Sequence, residues 1–326
     1  MSVRQALISL IEHQLIPEER INDAVHISGI RPAESDWLAF IDQLLLWLGI
    51  LALSFSVLFF VAYNWTDIGR FAKFTLVQLA LCSAIGVYLK FDEQLAIAKA
   101  SLFAGSILVG VLLALYGQTY QTGADPWQLF FCWALLITPW AIVACFSAVW
   151  VLWLGLMNLA ALLYFKTFGG FFGLLFMPFF GGEIGLLWCI FLLNTCALII
   201  WELAATRYRW LKDQWATRLV ATTSGVPITW LAFLSAIGIE KLPAFTMPVW
   251  FAWLAGIFLF YRYRREDLYM LAGFALSLSV VTLSFVAIQM FEAMEEHAFL
   301  PLALLVIASG TCAAMWLRSI HRTWAT

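Results

Sequence analysis

Two polar segments interrupt the apolar runs of this chain, and they hold the side chains best equipped for chemistry. The first is Ala62-Tyr63-Asn64-Trp65-Thr66-Asp67-Ile68-Gly69-Arg70-Phe71-Ala72-Lys73. The second is Tyr116-Gly117-Gln118-Thr119-Tyr120-Gln121-Thr122-Gly123-Ala124-Asp125-Pro126-Trp127. Asn64, Trp65, Asp67, Arg70 and Lys73, with Gln118, Tyr120, Gln121, Asp125 and Trp127, supply carboxylates, amides, cations and aromatic rims. If the two loops meet at one interface level, such a set can hold a polar ligand or a segment of a partner protein. The same residues also suit a structural role. Trp and Tyr belong at the membrane–water interface, Asp67 can cap the following helix, and Arg70 or Lys73 can pair with Asp67 or Asp125. Residue types and spacing leave both readings open.

No catalytic set converges elsewhere. His13, His26, His297 and His321 all lie outside the apolar runs. HExxH, GxSxG and a Gly-rich phosphate loop are all lacking, so no catalytic residue, metal ligand or cofactor is expected. Glu292, Glu295, Glu296 and His297 read as a solvated acidic loop, with weak cation binding as the lesser alternative. Ionisable residues deep in lipid default to function. Here Glu183 and Glu202 lie near helix ends, within reach of headgroups. The deeper polar residues are Gln78, Asn158, Asn194 and Gln289. An amide in a spanning helix typically bonds a neighbouring helix, worth about 1 kcal/mol. This scarcity argues against a pump built on buried carboxylates and leaves room for a facilitator. The six cysteines form no CxxC and read as small, buried apolar side chains.

The elements that position these residues follow from composition. The chain has 326 residues, of which 63% are hydrophobic, 17% aromatic and only 12% charged. Its mean hydropathy is +0.91. A water-facing domain usually carries about 25% charged residues, and lipid is the solvent that tolerates such a deficit. The 17 Trp imply many interface crossings. A net charge of -2 gives no basic footprint for nucleic acid. A spanning helix needs about 20 apolar residues. By that rule the spans are 41–63, 71–89, 95–116, 127–145, 147–165, 184–205, 219–239, 247–261, 268–291 and 299–317, about ten in all. The eighth is short, and the fourth and fifth are separated by almost nothing.

Residues 1–35 form an amphipathic preface that reads as a helical hairpin. Pro17 suits the first turn of its second helix, Gly29 its stop, and Ser35 the cap of the first span. The opening MSVRQALISLIEHQLIPEER lacks a continuous apolar stretch, so the first span is expected to stay as an anchor. Residues 36–326 then form the transmembrane domain. With the N-terminus inside, 14 of the 18 Lys and Arg fall on one side, as the positive-inside rule requires. Both termini are therefore expected inside. Arg262, Arg264 and Arg265 read as anchors on that side, fewer than the usual anionic-lipid cluster. The stretch from Gly169 to Gly182 reads as an interfacial or re-entrant piece, because its glycines and proline discourage a full span.

AYNWTDIGRFAKF closing the first hairpin and YGQTYQTGADPW before a Trp-rich helix, behind an amphipathic preface, resemble a bacterial membrane family known as domain of unknown function 2157. The resemblance covers roughly the first 150 residues. It implies a multi-pass protein of the bacterial inner membrane, and some relatives are encoded near proteins carrying a GDYxxLxY signature. It implies no activity. The expectation is thus an all-α polytopic bundle acting without catalysis, through its outer-face loops, as a binding or assembly partner of another envelope protein. The alternative is a small-molecule transporter resembling drug/metabolite exporters.

Overall fold

A computed structural model describes residues 3–13, 15–29, 34–92, 95–168, 182–212, 214–239 and 242–325. Every regular element among them is helical. The α-helices are α1 (Val3–Glu12), α2 (Ile21–Ile27), α3 (Glu34–Tyr63), α4 (Arg70–Lys90), α5 (Ala96–Tyr120), α6 (Pro126–Ala144), α7 (Ser147–Phe168), α8 (Gly182–Ala205), α9 (Gln214–Ala236), α10 (Thr246–Tyr263), α11 (Leu268–Met294) and α12 (Phe299–Ala325). Among the described residues, nine helices are long and apolar enough to cross a membrane: α3 to α9, α11 and α12. The remaining expected span is α10. It has 18 residues and carries Arg262 in its last turn, which lowers its hydropathy.

The chain divides into two compact units, Met1–Gly105 with Ser319–Thr326, and Ser106–Arg318. In the first, α1 and α2 pack on each other, and Gly29 ends α2 with φ +65°. A positive φ is strained for any residue with a Cβ, so glycine is the natural stop there. Ser35 does not cap α3. The helix already begins at Glu34, so Ser35 lies inside its first turn. At 30 residues α3 is about 45 Å long, more than a hydrocarbon core of ~30 Å, so part of it projects from the bilayer.

In the second unit α8 and α9 are the most closely packed pair, with α7 against both and α10 and α11 against α9. Trp188 and Phe191 of α8, Ile228 and Leu231 of α9, and Trp250 and Leu254 of α10 form its main apolar core. A smaller cluster joins Trp201 and Ala205 to Leu211 and Ala216. The α6–α7 joint is only Cys145 and Phe146. Cys145 takes the left-handed conformation (φ 45°, ψ 41°) that stops one helix and reverses the chain into the next. The Trp153 indole N–H then donates to the Thr138 hydroxyl, 3.0 Å, fastening α7 to α6.

Two expectations are corrected. Five of the six cysteines are exposed, four on helices and Cys145 at the α6–α7 joint, and Cys189 is half-buried, rather than all being enclosed. A thiol is weakly polar, and lipid is as apolar as a protein core, so a cysteine on the lipid side carries little penalty. The second polar segment is also shorter as a loop than expected. Helix α5 continues through Tyr120, and the turn proper is Gln121 to Asp125, with positive φ at Gln121 (45°) and Gly123 (66°). Residues 169–181, where the re-entrant piece was expected, lie outside the described residues. Gly182 and Glu183 open α8.

Candidate functional site

The first polar segment is a hairpin turn that closes on itself. Asn64 follows the last turn of α3, and its side-chain amide donates to the Phe60 carbonyl at 2.9 Å. That carbonyl also accepts the Asn64 backbone N–H at 3.1 Å, so the side-chain amide adds a second bond to it. The Ile68 N–H bonds the Asn64 carbonyl at 3.1 Å, tightening the turn. Lys73 reaches back from α4. Its ammonium donates to the Trp65 carbonyl at 2.5 Å and sits 3.8 Å from the centroid of the Trp65 ring. The side chain is buried, with 6% of the residue exposed. A buried amine needs both a hydrogen-bond acceptor and an electron-rich surface, and Trp65 provides the two together.

Neither Lys73 nor Arg70 pairs with Asp67. The Arg70 guanidinium lies 5.1 Å from the Phe71 ring centroid. Asp67 does not cap α4. The cap position is Gly69, without a side-chain bond, while the Asp67 carboxylate accepts from the Thr66 hydroxyl at 3.3 Å. Of the expected site residues in this segment, Asn64, Trp65 and Lys73 hold the hairpin. Asp67 and Arg70 are exposed.

The second segment lies largely in helix. Gln118 and Tyr120 are exposed in the last turn of α5, and the Tyr120 ring packs at a 46° tilt against Tyr116, centroids 4.9 Å apart. Gln121 is exposed in the turn. Asp125 occupies the cap position of α6 with extended backbone (φ −65°, ψ 148°), and Pro126 follows at the first helical position, where a missing N–H costs nothing. The Asp125 carboxylate makes no capping bond, and its backbone carbonyl accepts from Gln128 at 3.0 Å. Trp127 anchors an aromatic cluster with Tyr164 at 5.2 Å and Phe168 at 6.4 Å, joining the start of α6 to the end of α7. The first segment belongs to one compact unit and the second to the other.

The strongest polar constellations are elsewhere, in the second unit. At membrane depth, Asn158 of α7 and Asn194 of α8 exchange amide bonds of 3.1 and 2.7 Å. The Thr223 hydroxyl of α9 donates to the same Asn194 oxygen at 3.0 Å, and the Asn194 amide also donates to the Ile190 carbonyl at 2.7 Å. Further along, Thr195 meets Ser224 at 2.7 Å, with the Trp253 indole N–H donating to Ser224 at 3.1 Å. Thr229 meets Ser277 at 2.6 Å, and the Trp250 indole N–H donates to Ser277 at 3.0 Å. These amides and hydroxyls bind helix to helix, as expected for Asn158 and Asn194. Gln78 and Gln289 instead lie exposed on α4 and α11.

Two ion pairs close one end of this unit. Arg218 of α9 makes a two-pronged bond to Asp267, 3.0 Å through each of Nε and Nη2. Asp267 also accepts from the Tyr269 N–H at 2.9 Å, capping α11. Arg265 donates to Glu202 of α8 at 2.7 Å and to the Lys212 carbonyl at 3.0 Å. The Tyr261 hydroxyl donates to the other Glu202 oxygen at 2.6 Å. Arg265 is therefore no mere anchor, and Glu202 does not reach for headgroups: its side chain is only 10% exposed. The overlooked signal was a carboxylate beside each basic stretch: Glu202 in the last turn of α8, ahead of Arg207 and Arg209, and Asp267 just after Arg264 and Arg265. Asp267 in addition stands directly before an apolar run, the usual place for a cap.

Long apolar helices, helix-to-helix amide bonds and ion pairs gathered at helix ends define a multi-pass, all-helical membrane protein. Residues 9–150 match the model of a family described as a predicted membrane protein, DUF2157. The match spans the preface and both polar segments, and the resemblance carried by those motifs holds over that stretch. No curated protein and no solved structure matched the chain.

Proposed function

We propose that this protein is a non-enzymatic component of the bacterial inner membrane that binds or assembles another envelope protein through the exposed residues of its two polar loops. The carrying observation is how the polar groups are used. In the second unit the amides and hydroxyls at membrane depth are bonded to one another across α7, α8, α9 and α11. At the loop ends Asp67, Arg70, Gln118 and Gln121 remain exposed. Bonded interior amides serve rigidity, and exposed charges and amides on short, fastened turns serve recognition. The positive-inside distribution of Lys and Arg supports placing these loops on the outer face.

The rival reading is a small-molecule transporter. It calls for a polar cavity at mid-depth lined by Asn158, Asn194 or Gln289. Closure of the two asparagines on each other, and exposure of Gln289, weigh for the binding reading. The test is the double variant Asp67→Ala with Asp125→Ala in the full chain, expressed at native level. The expected result is a folded protein in normal amount that loses crosslinked partners in an affinity pulldown from native membranes. A folded double variant with wild-type partners and wild-type cell phenotype refutes the proposal.

A further inference from the structure

Between α9 and α11 lies a cleft of about 700 Å³. Its lining is small at Ala221, Gly225 and Gly273, and aromatic at Trp230 and Phe233. Its hydroxyls are already engaged: Thr222 with the Tyr269 hydroxyl at 3.0 Å, and Thr229 with Ser277 at 2.6 Å. The body of any occupant must therefore be hydrocarbon. The cleft is open at the surface, because a Cβ built on Gly273 meets nothing within 4 Å.

Its length limits the occupant. Thr222 to Phe233 is about 17 Å along α9 at 1.5 Å per residue. That is just over half of a ~30 Å hydrocarbon core, the reach of one leaflet. Charge marks one end. Arg218 sits one turn before Thr222, and its guanidinium carbon lies 5.4 Å from the Tyr269 ring centroid. Nε and Nη2 are bonded to Asp267 and Gln214, while Nη1 has no bond among the described residues. The side chain is 36% exposed. Arg264, exposed in the turn between α10 and α11, adds a second cation at this end.

We propose that this cleft is a lipid site: it takes one acyl chain of an anionic phospholipid from the leaflet on the Arg218 side, with the headgroup phosphate on Nη1 of Arg218. A planar guanidinium held by Asp267 presents its remaining edge to phosphate in a fixed direction, which a lysine ammonium cannot reproduce.

The experiment uses the full chain reconstituted in bilayers of equal phosphatidylglycerol and phosphatidylcholine, then released for native mass spectrometry of retained lipid. Wild type is expected to retain phosphatidylglycerol over phosphatidylcholine by roughly threefold: both offer a phosphate to Nη1, and only phosphatidylcholine brings a quaternary ammonium that the cations at this end repel. Gly273→Phe, which fills the cleft, is expected to abolish that retention with unchanged helicity and a monodisperse profile. Gly273→Leu is a smaller plug with the same expectation. Arg218→Lys keeps a cation for Asp267 but not the fixed second edge, and is expected to lose most of the retained phosphatidylglycerol while leaving the cleft open. Equal retention of the two lipids by wild type overturns the proposal. So does undiminished phosphatidylglycerol on a folded plug variant, or a polypeptide adduct that the plugs displace in place of lipid. Should neither plug fold, undiminished phosphatidylglycerol on Arg218→Lys overturns it alone.

Discussion

Replacing Asn194 by Leu keeps a γ-branched outline and removes every polar atom. Asn194 is fully buried, and it makes two amide bonds to Asn158 and accepts one from Thr223. Inter-helix hydrogen bonds in membrane proteins average about 0.6 kcal/mol, so three of them amount to about 2 kcal/mol. The change also leaves the Asn158 oxygen without its donor, a further cost of roughly 1 kcal/mol. Thr223 is spared, because its one hydroxyl proton can turn to the Leu219 or Val220 carbonyl instead. The expected destabilisation is thus about 3 kcal/mol. The double variant Asn158→Leu with Asn194→Leu orphans neither amide, so its loss should fall about 1–2 kcal/mol short of the sum of the single losses. Equilibrium unfolding in SDS–detergent mixtures, followed by circular dichroism, measures all three. A single-variant loss below about 1 kcal/mol, or additivity within ~0.5 kcal/mol, refutes the view that these amides act as one helix-binding unit.

Lys73→Met should loosen the first hairpin by about 1–2 kcal/mol, seen as faster hydrogen exchange at residues 64–69, since Trp65 loses both its hydrogen bond and its cation. Glu202→Leu strands Arg265 and should cost about 3 kcal/mol in the same unfolding assay; adding Arg265→Met should recover part of that loss. Gly110→Ala would place a Cβ 2.5 Å from Cδ2 and Cζ2 of Trp133, whose indole N–H is tied to the Ser106 carbonyl at 2.7 Å. That ring cannot slide away without losing its bond, so a cost of roughly 2 kcal/mol and an altered tryptophan emission are expected.

The spans were legible because lipid enforces an unambiguous rule: about 20 apolar residues, all backbone bonds internal. Boundaries were less so. Gly117, Gln118 and Thr119 look like turn chemistry, yet α5 runs through them. Polar side chains on a last helical turn can reach water at headgroup level and need not end the helix. The real break comes at Gln121 and Gly123, where φ turns positive. In the first segment the residue types were right and the pairing was not. Lys73 has carboxylates nearby in sequence but takes a carbonyl and an indole face, and no spacing rule names those acceptors. Glu202 with Arg265, and Arg218 with Asp267, are separated by 63 and 49 residues, so only the packing of α8, α9 and α11 unites them. A count of loop charges registers their signs and misses their partners.

The joint at Cys145 and Phe146 bears on how the protein is made. Two residues leave no loop between the arms, so the unpaired carbonyls ending α6 and the unpaired N–H groups opening α7 must reach water or headgroups at one tight corner. In the folded protein Trp153 and Thr138 fasten the arms to each other. With so short a joint, α6 and α7 are expected to enter lipid close together in time, as one helical hairpin.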